Sequence, residues 1–91
     1  MTEAQLDEVE KFAGLFMKPS DIAIILNIPL ADLRAALADS STNCFQRYHK
    51  GKLLSEAELR KSVLTMAKQG SSPAQSLASK LIDEMNMDEL E

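Results

Sequence analysis

The chain has 91 residues, 45% of them hydrophobic, which allows one small domain with a modest core and leaves no room for a second. Its net charge of −4 disfavours a general nucleic-acid binder, because phosphate contacts require Lys and Arg. Aromatic residues are few and Ala, Leu, Lys and Glu are abundant, so we predict an all-α fold, a compact bundle of about five to six short helices.

The first predicted helix covers residues 3–17, where apolar side chains recur at steps of three and four residues and so line one helical face. Pro19 ends this helix, since proline disfavours helical geometry in the residue before it. The side chains that predict the buried face are Leu6, Val9, Ala13 and Phe16.

The stretch "KPSDIAIILNIPLADLR" predicts a helix-turn-helix at about residues 20–38. Ser20 is the expected cap of its first helix, and Asn27 tolerates the left-handed conformation needed at the turn. Ala23 is the small residue that lets the second helix, at 30–38, approach closely. The apolar side chains expected to hold the pair together are Ile22, Leu26, Ile28 and Leu33.

The second helix of this pair carries little positive charge. Arg34 is its only side chain that can donate to guanine or grip a phosphate, and Asp32 would repel the DNA backbone. Arg34 is equally able to pair with Asp32 or with Asp39. We therefore expect base-specific recognition by this helix to be slight.

The rest of the chain predicts three more helices. "STNCFQRYHKGK" reads as a short helix that stops at Gly51, and Ser55 with Glu58 forms a capping-box pattern that opens the next helix. That helix ends at Gly70, and Ser72 is the expected cap of the last one. Its apolar seam either closes the domain's own core or pairs with a neighbouring subunit. The seam consists of Ala74, Leu77, Ala78, Leu81, Ile82 and Met85.

We accordingly predict a single helical domain over residues 1–86 and an acidic, frayed tail over residues 87–91. Charge is segregated along it: residues 1–39 hold seven acids and three bases, residues 40–70 two acids and six bases, and residues 71–91 five acids and one base. The basic middle either steers an acidic partner or reflects pairing between oppositely charged helix faces. The candidate DNA contacts are Arg34, Arg47, Lys50, Lys52, Arg60, Lys61 and Lys68.

The helix expected after Ser55 also suggests a protein contact. On a helical wheel its buried side is marked by Leu59, Val63, Met66 and Ala67, while Leu64 lies within a basic arc. That arc fits a protein contact with a basic rim, or a contact with phosphates. The candidate protein contacts are Leu64, Leu77, Leu81 and Met85.

Residues with catalytic or metal-binding chemistry are scarce. Cys44 is the only cysteine, which excludes an internal disulfide and a cysteine-based zinc cluster and fits a reducing, cytoplasmic setting. His49 is the only histidine, and no supporting motif surrounds it. We expect Cys44 to be a buried small hydrophobe. The expectation is a non-enzyme without metal, cofactor, small-molecule substrate or membrane span.

Two stretches, "FAGLFMKPSDIAIILNIPLADLR" and "FQRYHKGKLLSEAELRKSVLTMAKQGSSPAQSLASKLID", together resemble the small terminase subunits of tailed bacteriophages. The resemblance spans roughly residues 12–83. The first stretch is similar to the family's opening helix-turn-helix. The second is similar to its later pattern at Phe45, Gly51, Leu59, Ala67, Gly70 and Ala74.

The resemblance implies a protein that recognises viral DNA at a packaging site, assembles into rings and passes the DNA to a large terminase subunit with ATPase and nuclease activity. It makes residues 30–38 the recognition helix, with Arg34 its basic contact, and places the protein in the cytoplasm of a bacterium or phage-infected host. DNA binding is expected to be weak in the monomer and to depend on avidity in a homo-oligomer. The alternatives are a protein-interaction adaptor with a degenerate helix-turn-helix, and a small transcriptional regulator.

Overall fold

The computed structural model describes residues 1–90, and it confirms the all-α prediction, with no strand in that range. The chain divides into a head unit, Met1–Ser55, and a hairpin unit that begins at Glu56, and the boundary falls inside the fourth helix. The five helices are α1 (Glu3–Gly14), α2 (Pro19–Leu26), α3 (Leu30–Ala38), α4 (Asn43–Lys68) and α5 (Ser72–Leu90).

Helix α1 begins with a capping box and ends earlier than predicted. The Thr2 hydroxyl accepts a hydrogen bond from the Gln5 amide at 3.2 Å, and the Gln5 side chain accepts one from the Thr2 amide at 2.9 Å. The predicted end at Met17 is wrong, because α1 stops at Gly14 and the chain turns at Phe16, which has a φ of 60°. The predicted burial of Phe16 is wrong for the same reason, and its side chain is 48% exposed. Left-handed geometry is unusual for a bulky side chain, and nothing in the sequence pattern indicated it.

Helices α2 and α3 lie where the sequence placed them, with a different cap. Ser20 is not the cap of α2; Lys18 precedes the helix without a side-chain bond, and Pro19 is its first residue. Proline suits that position, because its fixed φ is helical and the amide it lacks would have no partner there. Asn27 ends α2 in the predicted left-handed conformation, with φ 54° and ψ 47°.

The core of the head unit is built from one face of each of its helices. Ile22, Leu33 and Val9 are fully buried, and Cys44 is 4% exposed, which confirms it as a buried small side chain. Phe12, Tyr48 and other partly buried side chains pack around this cluster. Its remaining buried members are Leu6, Ala23 and Leu26.

Helix α4 is one continuous helix of 26 residues, so the predicted stop at Gly51 and the predicted new start at Ser55 are both wrong. Gly51 is buried within the helix and packs against the backbone of α1. A β-carbon at this position would stand 2.0 Å from the carbonyl oxygen of Glu10. Position 51 needs a glycine because α1 and α4 approach each other closely there, and not because a helix ends there.

The hairpin unit consists of residues 56–68 of α4, a short turn and α5. The Ser71 hydroxyl accepts from the Ala74 amide at 3.4 Å, so Ser71 takes the capping position predicted for Ser72. The Gln75 side chain donates to the Ala67 carbonyl at 3.1 Å across the turn. Helix α5 continues to Leu90, so residues 87–90 are helical. No helix within residues 1–90 is long and apolar enough to cross a membrane.

Candidate functional site

The outer face of α3 is the candidate DNA-reading surface. Arg34 is exposed, and no ion pair within residues 1–90 engages it, so the alternative of a pairing with Asp32 or Asp39 is not formed. Asp39 instead accepts hydrogen bonds from the Ser41 hydroxyl and amide, which lower the pKa of its carboxyl group. The guanidinium of Arg34 is therefore open to a partner, beside an exposed Asp32 in the first turn of α3.

Arg47 is in a very different electrostatic setting. Its guanidinium bonds to three carboxylates of α1: Asp7, Glu3 at 2.8 Å and Glu10 at 3.0 Å. These carboxylates, chiefly Asp7 and then Glu3, raise the pKa of Arg47 above its ordinary value. The ammonium of Lys50 lies 3.9 Å from the same Glu10. Any phosphate contact by Arg47 would have to compete with these existing partners.

The other candidate DNA contacts lie on α4 in different surroundings. Lys52 is half-buried, whereas Lys61 and Lys68 are exposed. Arg60 faces Glu84 of α5 at 3.6 Å. Several basic side chains of residues 40–70 are thus already paired with acidic side chains of the same chain. This agrees with the interpretation that the basic segment reflects pairing between oppositely charged helix faces.

An open groove of about 300 Å³ runs along the hairpin unit. Its apolar lining brings together the predicted contacts Leu77 and Leu81, while Leu64 and Met85 do not line it. The remaining apolar side chains of the groove are Leu59 and Val63, and its charged side chains are Glu56, Arg60, Lys80 and Glu84. We call this surface the hairpin groove.

The predicted burial of Leu59 and Met66 is wrong. Leu59 is 57% exposed and Met66 52% exposed, because the buried side chains of the hairpin unit are the small ones, Ala74 and Ala78. Periodicity shows which residues share a helix face but not which face meets the neighbouring helix. Leu59 accordingly belongs to the groove, which the sequence pattern did not identify.

A second apolar surface lies on α2. Ile24 is 77% exposed and Ile25 47% exposed. The signal for this surface was present in the sequence, because residues 22–26 of α2 are all apolar and a short helix can bury only one of its sides.

The titratable side chains of residues 1–90 do not form a group of three or more that could hold a metal ion. Burial raises the pKa of the Cys44 thiol, which opposes formation of the reactive thiolate. His49 stacks against Phe45, with ring centres 4.3 Å apart, and meets the edge of Tyr48 at 5.2 Å.

Comparison of the chain with protein-family models, curated proteins and solved structures finds no match in any of the three.

Proposed function

We propose that this chain is a non-enzymatic DNA-binding protein of the small-terminase type, which self-associates and recruits or regulates a viral packaging motor in the cytoplasm of an infected bacterium. The observation that carries the proposal is the α2–turn–α3 arrangement. Ile22 and Leu33 hold the two helices in one core, and Asn27 makes the turn between them. The outer face of α3 then carries a free Arg34.

The thin positive charge of this face favours weak binding by one copy. Arg34 is a single donor beside Asp32, and Arg47 is already surrounded by carboxylates. A protein that neutralises few phosphates binds DNA weakly and with a shallow salt dependence. Several copies held together convert weak single contacts into useful affinity, which is why self-association belongs to the proposal.

The test is a mobility shift of duplex DNA at about 50 mM salt with tens of micromolar protein. Arg34→Ala is expected to weaken binding and to reduce the slope of log affinity against log salt by about 0.9, the contribution of one phosphate contact. Lys11→Ala is the matched control, because Lys11 carries the same charge but lies over the Phe12 ring of α1, 5.3 Å from its centre. No retardation of any duplex by the wild-type chain would refute DNA binding.

A protein-interaction adaptor is the second candidate, and the exposure of Ile24 on α2 favours it. An adaptor would retain the helix pair as a shape and bind its partner through apolar side chains. In that case Leu81→Asp or Leu64→Asp abolishes association while Arg34→Ala has no effect. The small-terminase proposal predicts instead that Arg34→Ala weakens binding in a DNA-binding assay.

A further inference from the structure

The hairpin unit buries very little of its apolar surface by itself. Among its described residues only Ala74 and Ala78 are buried, whereas Leu59, Leu77 and Met87 are all about half exposed or more. Helical segments of this size are marginal alone, and chains below about 40 residues usually need a further covering surface. The hairpin groove is therefore a surface that gains stability when another helical surface covers it.

The charges of the hairpin groove are arranged in two levels. Arg60 stands eight residues before the end of α4 at Lys68, and Lys80 stands eight residues after the start of α5 at Ser72. At a rise of 1.5 Å per residue, both bases lie about 12 Å from the turn. Glu56 and Glu84 stand twelve residues from the same helix ends, about 18 Å from the turn. A basic level and an acidic level are thus separated by one helical turn.

We propose that the hairpin groove binds the same groove of a second copy of this chain, with the two turns at opposite ends. The two-fold axis lies across the helices, so α4 packs on its counterpart and α5 on its counterpart. This inference rests on the self-association within the proposed function and not on DNA binding, and it specifies a closed dimer in place of the ring that the resemblance implies.

The charge levels select this orientation. Arg60 already lies 3.6 Å from Glu84 of its own chain. Reversing one copy places its basic level on the acidic level of the other, so that beside this pair Arg60 also meets the Glu56 of the other copy and Glu84 meets its Lys80. Packing with both turns at the same end would set base on base and acid on acid. The apolar floor of Leu59, Val63, Leu77 and Leu81 is covered in either case. Orientation is thus decided by Arg60, Lys80, Glu56 and Glu84.

The same levels argue against an unrelated charged partner. The groove has two acids and two bases, so it favours neither a strongly acidic nor a strongly basic segment. The same groove on a second copy, turned end to end, matches both the basic and the acidic level at once. A two-fold contact uses the same patch on both copies and closes at two protomers, whereas a head-to-tail contact continues into a ring.

The first experiment measures mass by light scattering on charge-swapped chains. The wild-type chain is expected at twice its 10.0 kDa. Arg60→Glu/Lys80→Glu and Glu56→Lys/Glu84→Lys are each expected to weaken the dimer at least roughly tenfold, because like charges then meet. An equimolar mixture of the two is expected to recover the dimer, together with the helical content measured by circular dichroism. Recovery on mixing excludes simple misfolding.

Matched controls carry similar changes outside the groove. Lys61→Glu/Lys68→Glu alters charge by the same amount on α4 and should leave the dimer intact. Leu77→Asp should abolish it, whereas Ile82→Asp, an exposed position of α5 that does not line the groove, should not.

The second experiment tests orientation by disulfide formation in a Cys44→Ala background. Leu59 lies about 13.5 Å from the turn, close to the proposed axis, so Leu59→Cys should cross-link to itself. Leu77 lies about 7.5 Å from the turn, which puts its two copies roughly 15 Å apart, so Leu77→Cys should not.

A monomer at about 100 µM, a mass above two protomers, failure of the mixed chains to pair, or self-linking of Leu77→Cys would each overturn the inference. DNA binding is scored separately. A two-fold dimer that retards no duplex overturns the proposed function and leaves this inference standing. A monomer that retards DNA overturns this inference and leaves DNA binding standing.

Discussion

Replacing Gly51 with alanine tests the closest contact in the head unit. The added β-carbon would stand 2.0 Å from the Glu10 carbonyl oxygen and 2.8 Å from its carbonyl carbon. Ordinary contacts begin near 3.4 Å, so α1 and α4 must separate by more than 1 Å. The obstacle is backbone, which cannot rotate away as a flexible side chain can.

Two opposing terms set the expected magnitude for Gly51→Ala. Alanine is favoured over glycine inside a helix by about 1 kcal/mol. Overpacking of a filled interior costs about 1–3 kcal/mol, and a clash with backbone belongs at the upper end of that range. The net expectation is a loss of about 2 kcal/mol in the free energy of unfolding, which lowers Tm by roughly 8–16 °C for a domain of this size.

Thermal and urea unfolding followed by circular dichroism measure this loss, at one fixed protein concentration because self-association also contributes to stability. Leu53→Ala and Leu53→Gly provide the calibration, since Leu53 lies on the same helix and is 61% exposed. Their difference gives the helix preference for alanine without a clash. If Gly51→Ala stabilises the protein by that same difference, the close approach of α1 and α4 is refuted and Gly51 is only a weak point of the helix.

The other predictions concern three single side chains. Arg47→Gln leaves three acidic side chains of α1 without their shared cation, so Tm should fall at neutral pH, and added salt should reduce the difference from wild type by screening their repulsion. Cys44 should resist alkylation in the folded protein and react after denaturation. Because burial raises the pKa of its thiol in the folded protein above 9.0, the stability that the buried thiol contributes should be present below pH 9 and lost as pH rises further. Asn27→Ala should cost about 1 kcal/mol more in urea unfolding than Asn27→Gly, because left-handed geometry penalises a β-carbon and not a glycine.

Local sequence signals predicted much of the head unit correctly. The apolar spacing of Leu6, Val9 and Ala13 identified the buried face of α1, and Asn27 marked the turn between α2 and α3. These predictions succeeded because helical periodicity and left-handed propensity act over a few residues. The exposed Arg34 could be identified in the same way, since it follows from the burial of Leu33 beside it.

The sequence-based predictions fail where the structural role of a residue depends on a partner that is distant in sequence. Gly51 looks like a helix stop until its contact with α1 is known. The pairing of Arg47 with the carboxylates of α1 was likewise not indicated by the residues next to it in sequence. Leu59 and Met66 looked buried because periodicity groups side chains without saying which group faces the other helix.

By itself the sequence determined the helical class, the helix pair at about residues 20–38 and the buried state of Cys44, because each depends on composition or on neighbours within a turn or two. Only the tertiary structure decided that α4 is continuous, that Arg47 is paired and that Leu59 opens onto a groove. Those outcomes depend on which helix faces meet, and the free energy that selects them comes from packing and charge pairing between segments as far apart as Glu3 and Arg47.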